Sequence, residues 1–265
     1  MEINVPLVSI IIVNFNGLKF LPRLLRSIYS QTLQDFEIIM VDNGSSDESI
    51  NYVSSNHKDV KVIQYENRGY GSACNRGAKE AVGKYLFFLN EDMYLPEDFT
   101  EKMVNCFKQK VSDSIKIGGL SCRMVGFEID PSNSHIAGGN KVDLFGFAYP
   151  EYVWSDKNFF ILSGSPFFTQ RKTFLDVGGF DEYIFLYGED AEISWRYNIL
   201  GYKLYVNNDT YIHHYGGGVT GFPGSKWIAR IFSSELLLIL NCYSCTLLLL
   251  IIPLYLLYVI SILFF

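Results

Sequence analysis

The last thirty residues of this 265-residue chain lack charge altogether: all 50 Lys, Arg, Asp and Glu residues lie at or before Glu235. Positive charge is scarce elsewhere too. Lys and Arg number 22 against 28 Asp and Glu, a net of −6. That balance excludes a general nucleic-acid binder, which needs a basic footprint. It does not exclude a pocket for one small phosphorylated ligand, for which a single cation suffices. Cysteine is sparse: five, an odd number, scattered along the chain. No disulfide framework is expected from them, and they read as reduced thiols. Cys242 and Cys245 form a C-x-x-C without a partner pair, so no zinc or redox role is expected there. No secretory signal is expected at the N-terminus, where the apolar run at 8–13 is only strand-length and Glu2 is the wrong flank. Internal repeats and low-complexity linkers are missing as well, so residues 1–225 read as one domain.

The uncharged tail and the residues before it form a second segment, residues 226–265: an amphipathic lead-in and a hydrophobic stretch. Thirty helical residues would measure about 45 Å against a hydrocarbon core of about 30 Å. The expectation is a transmembrane or membrane-inserted helix, too short for two full spans. Asn241, Ser244, Thr246 and Pro253 interrupt it, which leaves a kinked span or a re-entrant hairpin open. Lys226 and Arg230, with Trp227 as an interface residue, precede it. The positive-inside rule then places the large N-terminal part on the cytoplasmic side of a cell membrane.

What is present is ample apolar material, 49% of residues, arranged in an alternation. Residues 7–14, 36–41, 60–65 and 84–89 read as strands, three of them continuous apolar runs of the kind buried on both faces. Between them, 18–32, 46–55 and 71–82 show helical spacing, with Pro22 in a first turn. Alternation at these spacings predicts crossovers and a mostly parallel sheet flanked by helices. Further helices are expected over 96–111, 171–177 and 189–200, and two short strands over 203–206 and 210–213. Residues 117–160 carry no clear period and read as strands and loops.

In an open parallel sheet, ligands bind beyond the carboxyl ends of the strands. Those ends are polar here. Asn14-Phe15-Asn16-Gly17 follows the first strand, Asp42-Asn43-Gly44-Ser45-Ser46-Asp47 the second, Glu66-Asn67-Arg68-Gly69 the third and Asn90-Glu91-Asp92 the fourth. Such residues also serve turns for backbone reasons alone. Four successive ends converging on one edge favour a site. Asp42 could accept hydrogen bonds from a ribose or base edge, or form an Asx-turn. Glu91 and Asp92 could hold a divalent cation against a diphosphate, or cap the next helix. Gly69-Tyr70-Gly71 begins a G-x-G-x-x-G, but Cys74 stands at the third glycine and the motif follows the third strand, so a nicotinamide cofactor is disfavoured. Downstream, Glu189 and Asp190 open a helix, where a carboxylate is fixed as a general base requires. His213 and His214 precede a run of three glycines and could ligate a metal or a diphosphate.

Taken in order, these strings resemble the family 2 glycosyltransferases of the GT-A fold, the branch that includes rhamnosyltransferase-like and cell-surface polysaccharide enzymes. The matching strings are VSIIIVNFNG from Val8, VDNGSSDES from Val41, ENRGYGSACNRG from Glu66, YLFFLNEDMYL from Tyr85, VGGFDE from Val177, YGEDAEISWR from Tyr187 and HHYGGG from His213. The resemblance implies a Rossmann-like α/β fold and a UDP- or dTDP-linked sugar donor. It also implies inversion at the anomeric carbon and a divalent cation, Mg²⁺ or Mn²⁺. It implies that Asn14 lines the donor pocket, Asp42 contacts the nucleoside and Asn67 and Asn75 border base and ribose. Gly69, Asn90 and Glu91 complete the donor-binding set. Asp92 matches the last acid of the metal-binding D-x-D, and His214 the histidine completing that site, with His213 the alternative if the register slips by one. Asp190 matches the catalytic base. One departure stands out: Asn90 occupies the first acid of D-x-D. The expected acceptor is a hydroxyl on a lipid-linked or cell-surface glycan, and the alternative is an inactive nucleotide-sugar-binding membrane scaffold.

Overall fold

The computed structural model describes residues 5–112, 114–127, 138–143, 148–150, 158–216 and 225–264, with the backbone alone for 148–150, 225–231 and 262–264. The alternation in the first ninety residues becomes β1 (Val8–Asn14), α1 (Leu21–Tyr29), β2 (Phe36–Asp42), α2 (Ser49–Asn56), β3 (Lys61–Gln64), α3 (Tyr70–Glu80) and β4 (Tyr85–Asn90). Then follow β5 (Met93–Tyr94), α4 (Phe99–Ser112), β6 (Ile117–Gly126), β7 (Gly139–Val142), β8 (Ala148–Pro150), β9 (Ile161–Leu162) and β10 (Phe167–Gln170). The chain continues with α5 (Arg171–Asp176), α6 (Glu189–Ile199), β11 (Lys203–His214), α7 (Ser225–Cys242) and α8 (Cys245–Phe264).

Eight strands form one sheet in the order β3-β2-β1-β4-β10-β6-β11-β5. β3, β2, β1 and β4 are mutually parallel, β10 runs against both β4 and β6, and β11 is parallel to β6. The fold is GT-A-like: α/β with a mostly parallel sheet. Because β10 reverses direction twice over, β6 and β11 run the same way as β1 and β4. Six strands therefore end at one edge. Asn14 sits level with Asp42, and Val13 with Asn90. A smaller antiparallel sheet holds β8, β7 and β9.

Apolar runs on the central strands explain the two-sided core. Ile10, Ile12, Met40 and Phe87 face a layer with α1 and α4; Ile11, Val41, Leu86 and Phe88 face one with α3 and α6. The period-2 pleat sends successive side chains to opposite faces, so both must be apolar. Phe88 anchors the second layer, with the rings of Phe174 and Phe180 centred 5.0 and 5.8 Å away.

Two expectations are corrected. The strands expected over 203–206 and 210–213 are one strand, β11, whose pairing with β6 shifts register between Asn207 and Tyr211. The bulge absorbs the polar residues 207–209 that read as a break. The uncharged tail, expected as a transmembrane or membrane-inserted helix, is instead two helices meeting at Tyr243–Ser244, and among the described residues no helix is long and apolar enough to cross a membrane. The break has local causes. Ser244 Oγ accepts from Leu247 N (3.4 Å) at the start of α8, while Asn241 Nδ2 donates to Asp181 Oδ2 (2.8 Å) and draws the end of α7 onto the domain. α8 folds back, burying Ile251 and Tyr255 against Ile239 and Tyr243. The side chains of Lys226, Trp227 and Arg230 lie outside the described residues.

Candidate active site

The polar strand ends surround a cleft of about 730 Å³. Of the residues singled out from sequence, Asn67, Gly69, Asn90, Glu91, Asp92, Asp190 and His214 line it. Asn14, Asp42 and Asn75 do not. Asn14 lies between Val13 and Phe15, which do line the cleft, and the pleat turns its side chain the other way. Its amide donates to Asp42 Oδ1 (2.8 Å) and Ser45 Oγ (3.1 Å), and Asp42 Oδ2 accepts from Ser45 N (3.0 Å). Asp42 is thus the buried acceptor that shapes the turn after β2, the Asx-type role. Asn75, expected beside base and ribose, is committed elsewhere. Its Nδ2 donates to Phe180 O (2.8 Å) and its Oδ1 accepts from Phe180 N (2.9 Å). It ties α3 to the loop before α6.

Asp92 and His214 meet because β4 and β11 end at the same edge. His214 Nε2 lies 3.2 Å from Asp92 Oδ1, and Gly216 N donates to Asp92 Oδ2 (3.2 Å). The register settles which histidine this is. Neighbouring strand residues point oppositely, so His213 turns away and stacks on Tyr94 with centroids 4.2 Å apart. Burial holds His213 below its ordinary pKa. Burial, and then the charge of Asp92, pushes Glu91 up to about 8. Among the described residues no group of three or more His, Cys, Asp or Glu is arranged to hold a metal ion. The Asp92 carboxylate nonetheless fits a hard cation that takes its other ligands from phosphate oxygens and water, the usual arrangement for Mg²⁺ at phosphate sites, with the His214 imidazole beside it as a further donor.

Asp190 enters the cleft from the first turn of α6. Its Oδ1 accepts from Ala191 N (2.8 Å) and its Oδ2 from Gly164 N (3.3 Å). Burial raises its pKa, and those two N–H groups pull it back. Glu189 is more extreme. It is buried, its Oε2 finds no partner, and burial followed by the charge of Asp190 raises its pKa. Two adjacent carboxylates resist ionising together. Of the two, Asp190, with its two N–H donors, is the better placed to carry the negative charge, and Glu189 the better placed to hold a proton.

A consequence follows for stability. A carboxylate whose folded pKa is raised binds a proton more tightly folded than unfolded. It penalises the fold increasingly as pH rises above the ordinary carboxylate range. Glu189→Gln is therefore expected to raise the melting temperature at about pH 8, by the equivalent of about 1–3 kcal/mol, and to change it little at about pH 4. Thermal unfolding of both proteins at the two pH values checks this.

Several lining residues carry no sequence signal. Ser163, Gly164 and Ser165 come from the short stretch between 160 and 171, to which no element was assigned. Ser165 Oγ accepts from Asn90 N (2.9 Å), and Gly164 O accepts from Tyr70 Oη (3.1 Å). The only hint was a Ser-Gly-Ser-Pro turn. Arg196 closes the YGEDAEISWR string, where no role was expected of it. Its guanidinium donates to Val177 O, Gly179 O and both carboxylate oxygens of Glu192, pinning the 177–179 turn to α6.

The comparisons with known proteins agree with this architecture. Residues 9–178 match the model described as Glycosyl transferase family 2. The chain is 34% identical over 111 residues to a chondroitin synthase of Escherichia coli, covering 41% of this chain and 16% of that protein. It is 33% identical over 139 residues to a hyaluronan synthase of Pasteurella multocida, covering 51% and 14%. The chain thus spans a minor part of the length of these relatives. Among solved structures, GalNAc-T7 with UDP, GalNAc and Mn²⁺ superposes with TM-score 0.70 at 19% identity, covering 90% of this chain and 48% of that one. A mannosyltransferase of Pyrobaculum calidifontis with GDP-Man and Mn²⁺ superposes at 0.60 and 19% identity, covering 93% and 68%. S. aureus TarS with UDP-GlcNAc superposes at 0.59 and 18% identity, covering 89% and 67%. With well over half its length inside the family model and the strand-end cleft in place, the chain belongs to glycosyl transferase family 2.

Proposed function

We propose that this glycosyltransferase moves a sugar from a nucleoside-diphosphate donor to a hydroxyl of a glycan acceptor, with inversion. The carrying observation is that one cleft brings the Asp92–His214 pair and the half-buried carboxylate Asp190 together from three elements. Asn67 and Gly69 offer polar and close-approach contacts for the nucleoside end. Asp190 accepts the proton of the attacking hydroxyl, as its raised pKa suits. That oxygen attacks the anomeric carbon from the face opposite the leaving diphosphate, through an oxocarbenium-like transition state. Asp92 and His214 would hold a divalent cation, which when bound neutralises charge on the diphosphate. Neutral Glu189 keeps a second negative charge away from the leaving group. The synthase names of the relatives support a polysaccharide or cell-surface glycan as acceptor, and the GT-A neighbours bound to UDP- and GDP-sugars leave the base to be found by experiment.

The deciding experiment is binding of a panel of UDP-, dTDP- and GDP-sugars, with Mn²⁺ and with chelator. Cation-dependent binding of one donor, lost in Asp92→Ala, is expected. Binding that ignores both chelator and Asp92→Ala would reject the role given to Asp92 and His214. Tight donor binding with no release of nucleoside diphosphate would favour the alternative, an inactive nucleotide-sugar-binding scaffold, to which the neutral Asn90 points.

The reading extends to a lipid surface on the cytoplasmic side of a cell membrane. On α8, Leu249, Leu250, Leu254, Leu256, Leu257 and Ile260 are 49–78% exposed. No formal charge occurs among them or anywhere after Glu235. A contiguous exposed apolar face of this kind is costly in water, and each buried Leu is worth about 1.5–3 kcal/mol. Wild-type protein should float with phosphatidylcholine vesicles, and the triple variant Leu249→Asn, Leu250→Asn, Leu257→Asn should not. A wild-type dimer that fails to float would show that a second copy covers this face.

A further inference from the structure

The loop that delivers Asp190, residues 181–190, is held in an unfavourable backbone shape. Tyr187 has φ +65° and Gly188 φ +102°. The left-handed region is rarely adopted by an aromatic residue, so neighbouring structure must impose it. Two of the imposing contacts come from the C-terminal hairpin. Ser234 Oγ donates to Leu186 O (3.1 Å), the residue before the strained pair. Asn241 Nδ2 donates to Asp181 Oδ2 (2.8 Å), at the other end of the loop. Residues seven apart on a helix share a face, so α7 grips both ends at once. A Cβ on Gly188 would lie 3.6 Å from Ser234 Cβ, so backbone and helix are already in contact. Next to these bonds, Leu238 is buried against Ala191, the residue after Asp190, and Tyr243 packs on Trp195 of α6 with centroids 5.1 Å apart.

We propose that Ser234 and Asn241 are positioning residues: the hairpin clamps the 181–190 loop at both ends and thereby places the Asp190 carboxylate for proton transfer. The proposal rests on the reading of Asp190 as the base and adds that turnover, rather than donor binding, depends on the tail. The donor side of the cleft is built from the ends of β1, β2, β4 and β11, whose positions are set by the sheet ladder. The base side is built on the first turn of α6, and the shape of the loop that leads into it is set from outside.

The test uses the full chain carrying Ser234→Ala with Asn241→Ala. Three quantities are read: amide hydrogen exchange over 181–190, affinity for the donor selected from the nucleotide-sugar panel with Mn²⁺, and the rate of nucleoside diphosphate release from that donor with water as acceptor. Exchange over 181–190 should quicken while the strands are unchanged. The release rate should fall about tenfold, the loss of roughly two net hydrogen bonds at most, with donor affinity unchanged. The exchange of partners, Asp181→Asn with Asn241→Asp, rebuilds the bond in reverse and should recover most of what Asn241→Asp alone loses. Wild-type exchange and turnover in the double alanine variant would overturn the proposal. So would an equal loss of donor affinity, which would mark a general structural defect. An Asp190→Asn protein with full turnover would instead reject the reading of the base, and the exchange measurement would still report on the clamp.

Discussion

Asp190→Asn is expected to lower sugar transfer about 10²–10⁴-fold, the range for losing a general base, with donor affinity retained. The substitution keeps the size of the side chain. Its carbonyl oxygen can still accept from Ala191 N, now 2.8 Å from Oδ1. The amide nitrogen then faces Gly164 N, a donor that the carboxylate accepted at 3.3 Å. One hydrogen bond is therefore lost, at a cost of about 1–3 kcal/mol for a buried donor left unpaired. Unfolding must be measured beside activity so that the two losses are separated. The pH profile is the sharper check. Burial raises the Asp190 pKa, and the base works only when ionised. Activity should fall with decreasing pH along a limb lying above the ordinary carboxylate range. A limb in the ordinary range, or wild-type transfer by Asp190→Asn, would remove Asp190 from the mechanism.

Gly69→Ala is expected to abolish donor binding and to destabilise the fold by more than about 3 kcal/mol. Two independent costs add. Gly69 has φ +100°, outside what an L residue adopts without strain of about 1–3 kcal/mol. A Cβ there would also stand 2.1 Å from Phe185 O, a backbone atom that cannot rotate aside. That same carbonyl accepts from Tyr70 N (3.2 Å), which joins the start of α3 to the loop carrying Tyr187. Displacing it separates the nucleoside side of the cleft from the base side. Denaturant titration and donor binding on the purified variant test both parts. A stable Gly69→Ala protein with wild-type donor affinity would show that this close approach is not needed.

The half of the site carried by strand ends was legible because a parallel ladder converts sequence position into place. Once 8–14, 36–42 and 85–90 are adjacent parallel strands, Asn90 and Asp92 must emerge beside the end of β1. The choice between His213 and His214 needed only the two-residue pleat. Asn75 was misplaced because a side chain in the middle of α3 can face either the cleft or the neighbouring loop. The 178–182 turn, distant by about a hundred positions, takes both of its hydrogen-bonding groups. The tail was misjudged for a related reason. Hydropathy counts residues and does not see the Asn241–Asp181 bond that turns the segment back.

From the sequence alone came the α/β class, the family resemblance and the edge of the sheet where the polar cleft lies. These rest on local periodicity and on strand order, which short-range sterics and backbone hydrogen bonding largely dictate. The tertiary structure alone decided which polar residues face the cleft and which hold the turns behind it. It alone supplied Gly164 and Ser165 from a stretch to which no element was assigned, and folded the hairpin onto the loop before Asp190. Those outcomes depend on contacts between segments far apart in the chain, where many polar side chains compete for few partners and only the packed arrangement selects among them.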